Sequence, residues 1–257
     1  MNKSETDHAN VIVFGASGGI GSRVAERLAE NGSSVMLAAR PSDRLTSLSS
    51  RLDMPSCSVE ATDFESVEKC FLEAREQFGK VDGCVNCVGS ILLKPAHLTS
   101  AKEFSDVISA NLTSSFAMVR AAGKIMTSSG GSAVLLSSAA ARMGLASHEA
   151  IAAAKSGVIG LAKSAAATYA ARNLRFNVVA PGLVKTELSR KIWENPTAAA
   201  ASESMHPLGR LGEPDDIASL ICWLLHPSNS WLTGEVFSVD GGLATVRPNP
   251  RPAKKSR

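Results

Sequence analysis

Two short stretches carry residue types and spacings that could do chemistry. The first is GASGGIG, residues 15–21, in which Gly15, Gly19 and Gly21 are spaced GxxxGxG. It follows the apolar run VIVF (11–14) and opens an amphipathic helical pattern, SRVAERLAENG. A buried strand, a glycine turn and a helix N-terminus form a cradle for a pyrophosphate. The first glycine permits the tight turn, and the others let backbone amides and the helix end approach the anion. The second stretch is HEAIAAAK, residues 148–155. Lys155 supplies a cation. His148 lies two helical turns earlier, near the same face, and histidine is a competent proton donor near neutral pH. One turn before Lys155 stands Ile151, which can neither give nor take a proton. The chain's one tyrosine, Tyr169, is on the same helical pattern, about 20 Å past Lys155 at the helical rise, and cannot stand in.

Such groups need a scaffold, and the rest of the chain has the pattern of one. Apolar runs at 11–14, 35–39, 58–61, 84–88, 133–137, 176–180 and 236–239 read as strands. Helical stretches at 19–31, 64–78, 101–127, 148–171 and 214–225 separate them. Strands alternating with helices imply βαβ units and parallel pairing. The expectation is an α/β fold, a doubly wound parallel sheet of seven strands with helices on both faces. No repeat or linker interrupts it, so residues 9–246 read as one domain. Residues 187–212 break the alternation after the sixth strand, at the carboxyl end of the sheet. Insertions there commonly serve as substrate lids.

Composition narrows the classes. At 44% hydrophobic and 20% charged, 257 residues can bury a sizeable core. A net charge of +3 is too small to argue for nucleic acid or membrane binding. Much of that excess sits in RPNPRPAKKSR, five basic residues with three prolines and no acid. Residues 247–257 therefore read as a basic disordered tail, and residues 1–8 as a disordered start. The opening is polar, without an apolar signal region, and no stretch reaches transmembrane length, so a cytoplasmic location is expected. Five cysteines, an odd number, read as reduced thiols. Cys84 and Cys87 form a CxxC. On a strand, however, positions three apart face opposite ways, so neither a metal nor a redox pair is expected.

With these motifs in this order, the chain resembles the short-chain dehydrogenase/reductase family over residues 9–242. GASGGIG is similar to the family's TGxxxGxG, with Phe14 in place of threonine. VNCVG (85–89) is similar to its VNNAG, keeping Asn86 and Gly89. SANL (109–112) supplies Asn111, LLSS (135–138) supplies Ser138, and Lys155 matches the lysine of YxxxK. NVVAPGLVKTEL (177–188) is similar to the segment that frames the nicotinamide. LGRLGEPDDIA and WLTGEVFSVDGG match the C-terminal signature. The nearest likeness is to the 3-oxoacyl-carrier-protein reductase branch.

The resemblance implies a Rossmann-type sheet, a nicotinamide cofactor and a small carbonyl or alcohol substrate. It also implies a homotetramer, or failing that a dimer, built on the two helical stretches 101–127 and 148–171. The cofactor would lie on the loop residues Gly15, Ser17, Gly18, Gly19, Ile20 and Gly21. Glu60 and Ala61 fall where the family touches adenine; Asp63 reads instead as a helix N-cap. Asn86 and Gly89 would border the cofactor, with Pro181 and Gly182 beside the nicotinamide. Val184 would meet the carboxamide through its backbone, and Thr186 the amide or the pyrophosphate. Lys155 would hold the nicotinamide ribose, Ser138 the substrate oxygen, and Asn111 a relay water. The tyrosine position is Ile151. At the end of the second strand, an acidic residue would hydrogen-bond a ribose 2′-OH, whereas a cation accommodates a 2′-phosphate. Here Ala39 is followed by Arg40, which favours NADP(H) over NAD(H). Three readings of the missing tyrosine stay open: an oxidoreductase with another acid, for which His148 is the candidate; an NADP(H)-binding protein without catalysis, a sensor or partner subunit; and slow carbonyl reduction on Ser138 and Lys155 with water as proton source. The expectation is an atypical NADP(H)-dependent oxidoreductase.

Overall fold

The computed structural model describes residues 8–248. The expected disordered start and basic tail lie outside the described residues, apart from His8, Arg247 and Pro248. Seven strands form one sheet: β1 (Asn10–Phe14), β2 (Ser34–Ala39), β3 (Ser56–Ser58), β4 (Gly83–Asn86), β5 (Gly131–Leu136), β6 (Leu174–Pro181) and β7 (Val236–Val239). Their order is β3-β2-β1-β4-β5-β6-β7, and every pair is parallel. The chain therefore winds outward in one direction from β1 and in the other from β4. The crevice above this switch, at the carboxyl ends of the strands, is where such sheets bind ligands.

Alternation along β1 explains why the strands read as continuous apolar runs. Ile12 and Phe14 point into one buried cluster, with Phe71, Met118, Leu135 and Phe176. Val11 and Val13 point into the other, with Leu28, Leu37, Val134, Ile217 and Ile221. Both faces are covered, so both sets of side chains must be apolar. The first face carries α3 (Phe64–Phe78), α5 (Ser114–Ile125) and α6 (Glu149–Tyr169). The second carries α1 (Gly19–Glu30), α2 (Asp43–Leu52) and α9 (Pro214–Leu225). Cys84 lies in the first cluster and Cys87 packs against the second. Asp63 caps α3, accepting from the amides of Glu65 and Ser66.

Three elements differ from the expectation. The unanticipated α2 is capped by Ser42, whose hydroxyl accepts from the Leu45 amide, and it buries Leu45 and Leu48. The third strand lies two residues earlier than expected. The Val59 amide still bonds to Ala39, but the Glu60 amide is taken by the Ser66 hydroxyl. Glu60 and Ala61 thus sit in the following loop. The stretch 101–127 is not one α-helix but α4 (Ala101–Ile108), a π-helical turn (Ser109–Thr113) and α5. The cause is visible in the ladder. Asn111, fully buried, donates its amide to the Val107 carbonyl, and Ser115 donates to the Asn111 carbonyl. Side chains inserted among backbone bonds widen a helix in this way.

The segment 187–212 holds two further helices, α7 (Arg190–Trp193) and α8 (Pro196–Met205). Asn195 caps α8 through the amides of Thr197 and Ala198, with Pro196 at its first position. The half-buried Trp193 indole donates to the Thr186 carbonyl at 2.8 Å.

Candidate active site

A cleft of about 600 Å³ opens at the switch between β1 and β4. The glycine loop forms its floor. Gly15 has φ +76°, and a Cβ there would lie 3.0 Å from the Cys87 backbone. A Cβ on Gly21 would lie 2.2 Å from the Gly15 carbonyl oxygen. Neither position can carry a side chain. Among the described residues, none accepts a hydrogen bond from the amides of Gly19, Ile20 or Gly21. Three unpartnered donors at a helix N-terminus, with no side chain in the way, suit a phosphate oxygen. Ser17, Gly18, Glu60 and Ala61 line the same cleft.

Cations stand at its far end. Arg40 is exposed, and among the described residues it has no ion-pair or hydrogen-bond partner. Arg44, on the first turn of α2, also lines the cleft and meets Glu187 loosely at 3.5 Å. Sequence reasoning missed Arg44 and Ser42 because it missed α2. The Ser–Asp start, followed by Leu45, Leu48 and Leu52, was the available signal.

The second part of the site is a cavity of about 140 Å³, bordered by Gly89, Asn111, Ser138, Ile151 and Lys155. Pro181, Gly182, Val184 and Thr186 line its other side. Lys155 is 7% exposed, and its ammonium donates to the Leu136 carbonyl at 2.8 Å. Burial without a carboxylate partner pushes its pKa down to about 8, while the nearby Cys87 opposes this. Burial in turn pushes the Cys87 thiol up to about 12. Gly89 is required here: a Cβ on it would lie 2.8 Å from the Asn111 Oδ1 and 3.5 Å from the Lys155 Nζ. The Ser138 hydroxyl accepts from the Ala140 amide, and the neighbouring Ser137 donates to the Lys155 carbonyl. Ile151 is 5% exposed and packs with Val107, Ala150 and Ala154 while bordering the cavity.

Two of the expected residues do not border either space. Asn86 is buried and turns inward, donating to Ser114 and Ser115 and accepting from the Val88 amide. It ties the end of β4 to α5. His148 sits at the N-terminus of α6, with Nδ1 2.7 Å from the Ala146 carbonyl, and is absent from the lining of both cavities. Among the described residues, no group of three or more His, Cys, Asp or Glu stands ready for a metal ion.

Known proteins resemble this chain in sequence and fold. A family model described as enoyl-(acyl carrier protein) reductase matches residues 15–244. A 3-oxoacyl-[acyl-carrier-protein] reductase of Vibrio harveyi is 34% identical over 238 residues, covering 91% of this chain and 97% of that protein. The chain belongs to the short-chain dehydrogenase/reductase family. A tropinone reductase homolog of Arabidopsis thaliana is also 34% identical, with 90% of each chain covered. Among solved structures, a short-chain type dehydrogenase/reductase from Mycobacterium ulcerans superposes with a TM-score of 0.88 at 28% identity, covering 92% of this chain and 90% of that one. Membership makes the chain an oxidoreductase by family, one whose members act on small molecules with a nicotinamide cofactor. The free amides of the glycine loop and the crowded Gly15, Gly21 and Gly89 fit that group. Among the described residues no helix is long and apolar enough to cross a membrane.

Proposed function

We propose that this protein is a cytoplasmic NADP(H)-dependent oxidoreductase for a carbonyl/alcohol pair, working without the family's tyrosine. The observation that carries this reading is the placement of Lys155. It is buried, its pKa is lowered to about 8, and it shares one small cavity with Ser138 and Ile151. The cofactor, when bound, supplies or accepts the hydride. The amides of Gly19, Ile20 and Gly21 would hold its pyrophosphate, and Arg40, with Arg44 lining the same cleft, would pair with a 2′-phosphate. Thr186 and the Val184 backbone would hold the amide end. Ser138 orients the substrate oxygen. Ile151 stands where the tyrosine would donate, so the proton reaches that oxygen from Lys155 or from water held at the π-helical turn. His148 is the less supported donor, because it borders neither cavity. Losing a dedicated acid costs roughly 10²–10⁴-fold in rate, so turnover on an unactivated ketone is slow.

Residues 9–246 act as one domain, with 187–212 as the substrate lid. The exposed Phe116 of α5 and the small exposed residues of α6, such as Ala153 and Gly160, suit close packing between copies. A homotetramer is expected by light scattering at micromolar concentration, and a monomer would refute it.

The test of function is NADPH oxidation with a panel of reactive diketones and 3-oxoacyl thioesters. Slow, saturable turnover that weakens as pH rises through about 8 is expected. Ile151 favours a second reading, because an apolar residue packed into a cluster at that position also suits a protein that binds the cofactor and leaves it unchanged. Tight NADPH binding with no turnover of any substrate class would establish that reading instead.

A further inference from the structure

His206 ends α8, where the lid returns to the sheet, and it is 4% exposed. Its Nδ1 lies 2.7 Å from the Ser202 carbonyl, inside α8. Its Nε2 lies 3.2 Å from the Leu183 amide, in the loop after β6. A carbonyl can only accept and an amide N–H can only donate. Nδ1 must therefore carry the proton and Nε2 must be bare. The ring lies close over two glycines. A Cβ on Gly182 would sit 2.6 Å from Nε2, and one on Gly241 would sit 3.6 Å from Cδ2. One neutral imidazole thus joins the lid helix, the Pro181–Val184 wall of the small cavity and the turn after β7.

We propose that His206 is a pH-gated positioning residue whose neutral form latches the lid to the Pro181–Val184 loop and whose protonation releases it. A proton added at Nε2 would face the Leu183 N–H, donor against donor, in a buried place. Two carboxylates that border this space hold partners of their own. Asp240, after β7, accepts from the amides of Gly242 and Ala244. Asp216, on α9, takes two bonds from Arg210 at 2.6 and 2.8 Å. Lys185, in the β6 loop, pairs with Glu213, and Glu203 lies on α8 itself. Arg210 and Lys185 are already paired with Asp216 and Glu213, and the Asp240 carboxylate beside Gly182 favours an imidazolium without replacing the bond that Nε2 accepts from the Leu183 N–H. Loss of the Leu183 bond removes the tie between the end of α8 and the loop that Val184 belongs to, while the backbone bonds between Gly212 and that loop remain. Only the effect on nucleotide binding rests on the function proposed above; the latch does not.

The experiment is hydrogen exchange of the full chain without nucleotide, at pH 5.5, 6.5, 7.5 and 8.5, with the intrinsic pH dependence of exchange divided out. Peptides spanning 183–206 should lose about tenfold or more of their protection between pH 7.5 and 5.5, while β1 and β5 keep theirs. His206→Gln places an amide oxygen near the Nε2 position and gains no proton. It should hold the same protection at every pH, and His206→Leu should be low throughout. A flat native profile, or a fall in His206→Gln parallel to the native one, overturns the latch. If the glutamine variant does not fold, the native profile alone decides. NADPH titration over the same pH range separates the two claims. A lid that responds to pH in a protein that binds no nucleotide supports the latch and removes the proposed function.

Discussion

The nucleotide cleft and the small cavity beside it share a rim, yet they are built in opposite ways. The floor of the cleft is made of backbone: tight glycines, a helix end and amides that have no partner among the described residues, with the Arg40 guanidinium at its edge. The cavity is lined largely by side chains, and polar and apolar ones meet there. Lys155, Ser138 and Asn111 have buried or bonded positions, but the residue one turn from the lysine is an apolar plug packed into a cluster of its own. Backbone geometry at a phosphate cradle tolerates no substitution at Gly15 or Gly21. A side-chain cavity can lose one function and keep its packing. The cleft is thus fixed by sterics, while the small cavity is open to change by a single side chain.

The sharpest way to break this contrast is Ile151→Tyr. The hydroxyl would enter the cavity one turn from Lys155, beside Ser138. NADPH oxidation with diketones should rise by roughly 10²–10⁴-fold, the worth of a general acid, with NADPH affinity unchanged. Steady-state kinetics reads this. No gain, with affinity intact, would show that more than the acid is missing.

A smaller effect comes from the buried cation. The folded-state pKa of Lys155, about 8, lies below its ordinary 10.5. Between those values the unfolded chain holds a proton that the folded chain has lost, so stability from this group rises with pH across that window. The difference is worth about 3 kcal/mol at order of magnitude. Lys155→Met should therefore be stabilised relative to the native protein at pH 7.5, with the advantage shrinking by about that amount toward pH 10.5. Urea melts at both pH values measure it. Parallel pH profiles for the two proteins would remove burial as the cause.

The smallest effect sits on the cleft side. Arg40→Ala should weaken NADPH by about tenfold and leave NADH unchanged, read by fluorescence titration. Equal native affinities for the two nucleotides would overturn the 2′-phosphate assignment.

Much of this was legible in the sequence, for physical reasons that differ by residue. A parallel sheet covered on both faces writes itself as short apolar runs, and six of the seven strands were readable in this way, whereas the third, SCS at Ser56–Ser58, was expected too late. The glycine loop was readable because its chemistry is local. The turn at 109–113 was not, since it depends on where the Asn111 amide finds its acceptor. Asn86 and His148 could be placed on their elements but not aimed, because spacing fixes a Cβ direction and not a side chain's partners. His206 gave no signal at all: its surroundings arise from Leu183 and Ser202, brought together only by the return of the segment 187–212 to the sheet.

The bond from Trp193 to Thr186 has an optical consequence. The other two tryptophans, Trp223 and Trp231, are exposed at 47% and 98%, so their emission is dominated by bulk water. Trp193 alone is half-buried, with its indole N–H held by a residue that borders both cavities. With Trp223 and Trp231 changed to phenylalanine, the chain would keep a single emitter near the start of the segment 187–212. Its colour and anisotropy would follow that segment in real time, with no label attached.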